Sequence, residues 1–494
     1  MRRVGKARPH AITGPPPLHP RPRRRAGPLP RLAVDLTLLD PRPTLPATAR
    51  VLAVIIRHLH VKNLKLLRDF ELSFLDAQGK PRMWTVIIGE NGTAKTSLLQ
   101  AIAMAAAGSL EVNSLAKKVT GQLRDRRQPD AMEITATFGF LDPPSGTRRS
   151  LPGLDEAQPQ GAQAQITSTV TLEKGSSSLR ARAEYVPPLQ SASDPLEIAR
   201  DKNLAHWFVA GYGIARALPD PTKVYPLEQP SIERMEPLFD SQLALTSTTF
   251  ANYFQGQNKG AYYSKALKKV LFHAERLLPN LVDLELRGRG HVHRAGDLVE
   301  GNRFQQRIGN SVITVSAAAL SHGYQSTIAW IADLVGHFVL EAEGEVLPEE
   351  MQGLVLIDEL DLYLHPTWQL ALVSALRETF PQIQFVVTTH SPLVLAGLRP
   401  EEIVRLRFAE NGDVIRAHVD ADARLLTGTE IYREYFGIDD VIPDETGQKL
   451  RDYRYLAANP YRSDEDEREI AQLSAALKQA GVDPEFEPVP RRAP

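Results

Sequence analysis

The stretch IIGENGTAKTSLL, residues 87–99, joins an apolar run to a helical pattern through a turn that is rich in glycine. The preceding run, MWTVIIG (83–89), predicts a buried strand. The following run, KTSLLQAIAMAAAG (95–108), predicts a helix that ends at Gly108. A glycine-rich turn between a strand and a helix is the setting of a phosphate-binding loop, so we expect the fold to be built around this turn.

Residues 89–97, GENGTAKTS, contain the residue types that bind the phosphates of a nucleotide. Backbone N–H groups of the turn and of the helix N-terminus can point at an anion, and Lys95 adds a positive charge near the β and γ oxygens. Thr96 supplies a hydroxyl ligand for Mg²⁺. The predicted nucleotide-binding residues of the loop are Gly89, Glu90, Asn91, Gly92, Thr93, Ala94, Lys95, Thr96 and Ser97.

The loop departs at one position from the pattern G-x-x-x-x-G-K-[ST], because Ala94 stands where the last glycine is expected. A methyl group at this point is expected to crowd the phosphate. We therefore expect the affinity for nucleotide to be lower than that of a loop with glycine there.

A second group of candidate residues follows the apolar run GLVLIDEL (353–360), which predicts a short buried strand. Asp358 and Glu359 come at the tip of this strand, which we expect beside the strand of the loop. Asp358 can hold the Mg²⁺ shell, and Glu359 can orient and deprotonate an attacking water. A strand that runs into an acidic turn is the plain structural alternative.

A helical run, PTWQLALVSALRETF (366–380), separates this strand from another apolar strand, FPQIQFVVTTH (380–390). Strand, helix and strand at this spacing predict a parallel sheet. His390 comes at the end of the second strand, from where it can contact a γ-phosphate or the attacking water. The alternative is a structural histidine. Serine hydrolase chemistry at Ser391 is not expected, because no nucleophile-elbow sequence and no third group accompany it.

The segment LSHGYQST (320–327) opens another long helical pattern. Ser321 and Gly323 lie at its start, and a helix N-terminus with a free hydroxyl and a glycine can bind a phosphate. The alternative is that Ser321 only caps the helix.

Taken in order, these four segments resemble the ATP-binding head of the ABC class, in the branch of the recombination mediator RecF and the structural-maintenance-of-chromosomes (SMC) proteins. IIGENGTAKTSLL is similar to the Walker A motif, LSHGYQS to the signature motif, LVLIDE to the Walker B motif, and His390 to the switch histidine. The resemblance implies an ATPase with Lys95, Glu359 and His390 as catalytic residues, and with ATP and Mg²⁺ bound.

In that class two heads close face to face, and each ATP lies between the loop of one subunit and the signature serine of the other. The resemblance therefore implies a homodimer or a higher even oligomer that is joined through the ATP sites. A glutamine that the class uses between Walker A and the signature is not placed, and GYGIAR (211–216) is only loosely similar to a family motif.

The run ELDLYLHPTWQ (359–369) is similar to the ATPases of overcoming-lysogenization-defect nucleases. Those nucleases carry a Toprim domain, whose layout is not found in the residues that follow His390. The tail segment DARLLTGTEIYREYFGIDD (422–440) resembles the ATPase subunit of the Septu anti-phage system and of its retron-associated relatives. That resemblance implies a separate HNH nuclease as partner.

The predicted fold is α/β: a P-loop NTPase with an ABC/RecF-like ATPase head, a mixed sheet flanked by helices, and an inserted, mostly helical arm. Five regions are expected along the chain. They are a disordered basic extension (1–50), the N-terminal part of the head with Walker A and lid strands (51–224), a helical insertion (225–308), the C-terminal part of the head (309–420) and a charged tail (421–494).

The composition limits the remaining possibilities. The 494 residues are 43% hydrophobic and 24% charged, which is typical of a globular protein. The absence of cysteine excludes disulfides, thiolate metal sites and cysteine nucleophiles. This absence of cysteine fits a cytoplasmic protein, which we predict. The most apolar stretch, 327–340, contains Asp333 and His337, so no membrane span is expected.

The first fifty residues carry ten arginines and one lysine against two aspartates, a net charge of +9, and 11 of the 37 prolines. Such a segment cannot build a packed core. It could bind nucleic acid, or it could be an upstream extension from a misjudged start codon. The basic run RGRGHVHR (287–294) could also contact DNA, although a solvated loop is the simpler interpretation.

The sequence thus predicts an ATP-driven dimer switch in DNA-related work, either phage defence or DNA repair. One alternative is an ATP-gated scaffold without turnover that serves a separate nuclease. Another is the ATPase subunit of a transporter, which the large interval between Lys95 and Ser321 disfavours.

Overall fold

The computed structural model describes residues 54–141, 165–186, 194–201, 207–219, 227–254, 257–272, 277–286, 302–342, 344–438, 444–484 and 486–491. The strands are β1 (Val54–Leu64), β2 (Leu67–Ser73), β3 (Trp84–Gly89), β4 (Met132–Phe140), β5 (Gln165–Leu172), β6 (Arg180–Val186), β7 (Val209–Tyr212), β8 (Leu281–Leu286), β9 (Asn302–Ile308), β10 (Ser311–Ser316), β11 (Gly353–Ile357), β12 (Ile383–Thr388), β13 (Ile403–Phe408) and β14 (Val414–Ala417). The α-helices are α1 (Lys95–Ala107), α2 (Val112–Ala116), α3 (Pro195–Asp201), α4 (Pro230–Glu233), α5 (Phe250–Tyr253), α6 (Asn258–Phe272), α7 (His322–Glu341), α8 (Pro366–Thr379), α9 (Pro392–Leu395), α10 (Gly428–Ile431), α11 (Asp444–Ala458) and α12 (Asp464–Gln479).

The strand before the glycine-rich turn, β3, lies inside a six-stranded sheet with the order β14-β13-β3-β12-β11-β7. The strands from β13 to β7 pair in parallel, whereas β14 pairs antiparallel with β13. Continuous apolar runs such as those of β3 and β11 are typical of parallel strands that are covered on both faces. The predicted α/β class, with its mixed sheet and the unit β11, α8, β12, is confirmed.

One detail of the sheet differs from the expectation. β12 lies between β3 and β11, so the strand that ends at Asp358 is not directly beside the strand of the loop. Both neighbours of β12 pair with it in parallel. The end of β12 therefore places Thr388 beside Asp358 and Glu359.

Alternate residues of the central strands enter two hydrophobic cores, one on each face of the sheet. Leu354 and Leu356 of β11 join the core that holds α1 and the strands β1, β2, β4 and β5. Val355 and Ile357 of the same strand join the core that holds α6, α7 and α8. This two-residue period follows from the pleat of a strand, and it leaves the edges of the sheet as the places where polar groups can collect.

Helix α1 begins at Lys95 and ends before Gly108, as predicted. All of its side chains except that of Thr96 are buried, and its alanines let it pack closely against the sheet. Gly108 adopts φ +83° and ψ +174°, a conformation that favours glycine, immediately after the helix. The helix therefore holds the phosphate-binding turn against a rigid base.

A five-stranded antiparallel sheet of order β2-β1-β4-β5-β6 covers α1 on its other side. Its strands alternate buried and less buried residues, as in β5, whose every second side chain is buried. Such alternation is expected of a sheet with one face on a core and one toward solvent.

The region predicted as a helical insertion, 225–308, is helical from α4 to α6 and then continues into strands. β8, β9 and β10 form a three-stranded antiparallel sheet of order β10-β9-β8. The pairing of β8 with β9 joins Leu281–Leu286 to Asn302–Ile308 across an intervening segment. This non-local pairing gives the insertion an arm of mixed structure rather than of helices alone.

The last two helices, α11 and α12, pack together around a small hydrophobic cluster of their own. The chain after α12 returns along α11, where the Val489 N–H donates to the Ala457 carbonyl and Tyr453 donates to the Phe486 carbonyl. We call this unit, residues 444–491, the C-terminal hairpin.

Two features of the sequence lie outside the described residues, namely the basic extension 1–50 and the run 287–294. The described residues all belong to one compact unit, 49–494. No helix among them is both long enough and apolar enough to cross a membrane.

Candidate active site

The predicted residues of Walker A, Walker B and the histidine segment collect at the carboxyl edge of the parallel strands. β3 ends at Gly89, β11 at Ile357 and β12 at Thr388, and all three strands point the same way. Ligands of open α/β sheets bind outside this edge, between the loops that follow neighbouring strands. Walker A, Walker B and the histidine segment, which are distant in sequence, are therefore neighbours in space.

The glycine-rich turn has a backbone that side chains would obstruct. A Cβ on Gly89 would lie 2.6 Å from the Leu406 carbonyl oxygen and 2.8 Å from Thr93 Oγ1. Gly92 adopts φ +86°, in the left-handed region that favours glycine. These two glycines let the turn curve tightly at the tip of β3.

Ala94 also adopts a left-handed conformation, with φ +63° and ψ +24°, immediately before α1. This conformation explains why the motif prefers glycine here, since a Cβ costs about 1–2 kcal/mol in this region. The Ala94 side chain is a member of the core that holds α1. The departure from glycine therefore adds backbone strain at Ala94, and the crowding of the phosphate by the methyl group stays a prediction.

The turn and the start of α1 offer donors that suit a phosphate chain. The first N–H groups of a helix have no partner inside the helix, and the described residues supply no acceptor for those of Lys95 and Thr96. The Ser97 hydroxyl oxygen is buried and has no hydrogen-bond partner among the described residues. A bound anion would satisfy these groups, so the loop fits a nucleotide phosphate.

Lys95 folds back over the turn and closes it. Its ammonium group donates to the carbonyls of Gly89 at 2.8 Å and Glu90 at 3.0 Å. The side chain is largely buried, and this burial lowers the pKa of Lys95, while Glu359 and Asp358 oppose the shift. The ammonium group therefore lies in the field of Glu359, the predicted general base, and of Asp358, a predicted metal ligand.

Thr96 and Asp358, the two residues predicted to hold Mg²⁺, are in direct contact. The Thr96 hydroxyl donates to Asp358 Oδ2 at 2.8 Å, and the Thr388 hydroxyl donates to Asp358 Oδ1 at 2.6 Å. Hydroxyl and carboxylate oxygens are the ligands that Mg²⁺ takes beside the phosphates of a nucleotide. The donor set at this point therefore fits the predicted metal.

Glu359 combines backbone strain with a strongly shifted acidity. It adopts φ +51°, which is rare for a residue with a side chain. Burial raises the pKa of Glu359 to about 7, and the nearby carboxylates of Asp358 and Asp361 act in the same direction. A carboxyl group with such a pKa can accept a proton near neutral pH, as a general base must.

His390 lies beside Glu359, with 3.3 Å between His390 Nε2 and Glu359 Oε1. Burial lowers the pKa of His390, and the positive charge of Lys95 adds to this shift. This shift favours the uncharged ring, which can donate or accept a hydrogen bond at the edge of the site. The structure brings His390 to the predicted catalytic carboxylate.

The signature residues lie apart from the phosphate-binding turn. Ser321 is exposed at the start of α7, and its side chain makes no capping hydrogen bond. A Cβ on Gly323 would lie 2.5 Å from the Tyr363 carbonyl oxygen, so α7 begins in contact with the segment after Walker B. No described hydrogen bond or ion pair joins Ser321 or Gly323 to residues 89–97.

Comparisons with known proteins agree with these motifs. Residues 290–396 match a family described as "AAA domain, putative AbiEii toxin, Type IV TA system". The Septu protein PtuA of Bacillus mycoides is 24% identical over 423 residues, which are 85% of this chain and 50% of the relative. The probable ATPase of retron Ec83 of Escherichia coli is 33% identical over 168 residues, 34% of this chain and 30% of the relative.

This chain is similar to the Septu and retron proteins. That similarity confirms the resemblance indicated by the four motifs and the tail. The aligned parts span half or less of these relatives' own length. A crystal structure of the SMC head bound to the C-winged helix domain of ScpA covers 74% of this chain and 98% of its own, at 16% identity and a TM-score of 0.45.

The structure adds residues to the site that the motifs did not indicate. Thr388 bridges Asp358 and Glu359, since its hydroxyl oxygen also accepts the Glu359 N–H at 2.8 Å. Arg216, in GYGIAR, donates to the Glu359 carbonyl. The position of a threonine at the end of an apolar strand could have indicated Thr388. The GYGIAR run, which is loosely similar to a family motif, could have indicated Arg216.

Proposed function

We propose that this chain binds ATP with Mg²⁺ and hydrolyses it, acting as an ATP-driven dimer switch in phage defence. One observation carries the proposal. Lys95, Thr96, Asp358 and Glu359, from two motifs some 260 residues apart, meet at one edge of the sheet in hydrogen-bonded or charge contact. The similarity to Septu and retron proteins favours defence over DNA repair.

ATP binding would use the turn and the start of α1. The free N–H groups at the start of α1 and the Ser97 hydroxyl would take the phosphate oxygens, and Lys95 would turn from the carbonyls of Gly89 and Glu90 to the γ-phosphate. Thr96 and Asp358 would hold Mg²⁺, which neutralises charge on the β and γ oxygens.

Hydrolysis would begin at Glu359. Its carboxylate would take a proton from the water that attacks the γ-phosphorus, and His390, whose Nε2 lies 3.3 Å from Glu359 Oε1, would help to orient the carboxylate. Burial, together with the carboxylates of Asp358 and Asp361, keeps the pKa of Glu359 high enough for this role, and Lys95 offsets part of the shift.

The switch would depend on a second copy of the chain. Ser321 and Gly323 lie at an exposed helix start that no described hydrogen bond or ion pair joins to the turn, which suits a site completed by a partner. We propose that ATP closes the dimer in the cytoplasm and that hydrolysis reopens it. A separate nuclease, with DNA as its substrate, would respond to the closed state.

The function is tested by measuring ATP binding and Mg²⁺-dependent phosphate release with the purified full chain, with and without DNA. Lys95→Ala should abolish binding at sub-millimolar ATP, because the charge on the phosphates is lost. Lys269→Ala is the control, since this lysine pairs with Glu349 outside the site. Equal ATP affinity of Lys95→Ala and wild type would contradict the proposed nucleotide site.

Binding without turnover would instead identify an ATP-gated scaffold. The partner is tested by co-purification with any small HNH nuclease that is encoded next to this chain. Failure of the pair to associate at any nucleotide state would exclude that nuclease as the partner.

A further inference from the structure

The segment GYGIAR (211–216) reaches the site although the proposed mechanism gives it no role. β7 pairs with β11 so that Tyr212 lies opposite Ile357, and the Asp358 N–H donates to the Tyr212 carbonyl at 2.8 Å. The chain after β7 therefore leaves the sheet beside Asp358 and Glu359. Arg216 follows four residues later.

Two glycines fix the path of this segment. A Cβ on Gly213 would lie 2.5 Å from the Pro237 carbonyl oxygen, and one on Gly211 would lie 3.1 Å from Leu238 Cβ. The Gly211 N–H donates to the Arg234 carbonyl at 2.9 Å. The backbone before Arg216 is thus pressed against residues 234–238, which leaves the arginine little freedom in its approach to the site.

Side chains from two neighbouring strands contact both backbone polar groups of Glu359. The N–H donates to Thr388 Oγ1 at 2.8 Å, and the carbonyl accepts from Arg216 Nη2 as well as from the Leu362 N–H, at 3.1 Å, within the turn itself. Thr388 comes from β12 on one side of β11, and Arg216 follows β7 on the other. A left-handed residue with a side chain persists only where its surroundings determine its conformation, and Arg216 is the long-range contact at this carbonyl.

Arg216 is almost completely enclosed, with 4% of its surface exposed. Its charge is surrounded by Asp358, Asp361 and Glu359, which oppose the effect of burial. Burial lowers the pKa of Arg216 to about 10, so the guanidinium group is still charged at neutral pH. Arg216 is thus a buried cation beside three acidic residues, and it is hydrogen-bonded to the backbone of one of them, so its role is not limited to filling space.

We propose that Arg216 is a positioning residue, which holds the carbonyl of Glu359 and so fixes the left-handed turn that aims its carboxylate. The inference rests on the proposed hydrolysis of ATP. In this proposal the GYGIAR segment connects the edge strand β7 to Glu359, which follows β11. Arg216 itself contacts neither the phosphate-binding turn nor Lys95 through any described hydrogen bond.

The first test compares Arg216→Gln and Arg216→Lys with wild type. Arg216→Gln should lower kcat for ATP about 100-fold, as expected when a catalytic group is misplaced by an ångström, and leave the Kd for ATP within about threefold. Arg216→Lys keeps the positive charge but cannot donate to the Glu359 carbonyl with the same geometry. Its kcat should therefore lie between those of wild type and Arg216→Gln. The control is Arg200→Gln, since Arg200 is a buried arginine that binds the carbonyls of Ser231 and Ala106 away from the site.

The comparison of kcat with the melting temperature separates positioning from folding. Arg216→Gln should lose kcat although the protein is folded at the assay temperature, whereas Arg200→Gln should lower the melting temperature without this loss of kcat. An unchanged kcat in folded Arg216→Gln would overturn the inference.

A double variant provides the decisive readout. In the Glu359→Gln background, Arg216→Gln should produce no further loss of kcat, because residues that act through one another are not additive. A further loss as large as in wild type would overturn the inference, as would a loss of ATP affinity equal to the loss of kcat. If wild type itself shows no ATP turnover, the proposed function fails first, and the inference fails with it.

Discussion

Glu359 is the residue at which burial, like charge and backbone strain act together. Its carboxylate lies within reach of His390 and in the field of Asp358 and Asp361, while its backbone is held by Thr388 and Arg216. Pairs of titratable groups whose pKa values move in opposite directions are typical of acid–base sites. Here burial raises the pKa of Glu359 and lowers that of His390.

This shift predicts how the activity depends on pH. A carboxyl group acts as a base only when it is deprotonated, and a pKa of about 7 leaves Glu359 mostly protonated in the free protein at pH 6. Since kcat/KM reports the free enzyme, it should rise with pH through about pH 7 and then level off. The measurement is a pH–rate profile of wild type and Glu359→Gln.

In Glu359→Gln we expect ATP binding to be retained and hydrolysis to be slowed by about 10²–10⁴-fold, because only the general base is lost. The ATP-bound dimer should accumulate, and the acid limb near pH 7 should disappear. Normal hydrolysis by this variant would show that another group is the base.

A second residue-scale prediction concerns Ala94. Ala94→Gly removes a left-handed strain of about 1–2 kcal/mol but also loses a buried methyl worth about 0.8 kcal/mol. The free energy of unfolding should therefore change by less than about 1 kcal/mol, and the Kd for ATP by less than about threefold. Thermal unfolding and an ATP titration measure both quantities.

Gly92→Ala makes the opposite change to Ala94→Gly. It adds a side chain to a residue with φ +86°, and the new Cβ would lie 3.7 Å from the Phe408 ring. It should destabilise the protein and weaken ATP binding. A Gly92→Ala protein with wild-type stability would show that backbone strain in the turn does not measurably change the free energy of unfolding.

At the scale of elements, the start of α7 and the segment after β11 are fitted to each other. Gly323 lies under the Tyr363 carbonyl, and the rings of His322 and Tyr363 are 6.1 Å apart. Tyr363 adopts φ +65° and is exposed. The start of α7 and the segment that follows β11 therefore form one continuous surface of the same chain.

Gly323→Ala tests this fit. The new Cβ would lie 2.5 Å from a backbone oxygen, so α7 or the Tyr363 segment must shift, at a cost of about 1–3 kcal/mol. We expect a lower melting temperature, reduced ATP turnover and unchanged ATP affinity of the single chain. Gly397→Ala, where no atom lies within 4 Å, should leave all three quantities unchanged.

If Gly323→Ala instead loses ATP affinity as strongly as Lys95→Ala, α7 contributes directly to the nucleotide site of its own chain. That outcome would remove the reason to assign the signature to a partner subunit.

The elements that the sequence predicts well are those with local signals. The apolar run before the turn became β3, the turn kept its two glycines, and the helix ended at Gly108. The pairing of β8 with β9 and the position of β12 between β3 and β11 could not be predicted, because strand order depends on contacts between distant segments. Glu359 was identified by type, whereas its left-handed backbone follows from Thr388 and Arg216, which no local pattern joins to it.

At the scale of the whole molecule, the proposed dimer makes a prediction about mixed subunits. Lys95→Ala and Ser321→Arg should each inactivate the homodimer, if each site uses the loop of one chain and the serine of the other. A mixed dimer then has one site with both defects and one intact site. Equal amounts that exchange freely give about half mixed dimers, and hence about a quarter of wild-type turnover if the sites act independently.

ATP turnover of each variant alone and of the exchanged mixture is the measurement. No recovery despite proven exchange would indicate either strict coupling of the two sites or a site within one chain. Mixtures of each variant with wild type distinguish these cases, because only strict coupling makes a defective subunit inhibit its partner.

The two hydrophobic cores on either face of the six-stranded sheet cannot unfold independently of each other. Leu354 and Leu356 face one core and Val355 and Ile357 the other, so either core is lost only when the same strand is lost. Unfolding of the head is therefore a cooperative event that the shared strands impose. The C-terminal hairpin has its own cluster and no strand in that sheet, so its amide protons can exchange with solvent through a local opening while those of β11 stay protected until the whole head unfolds.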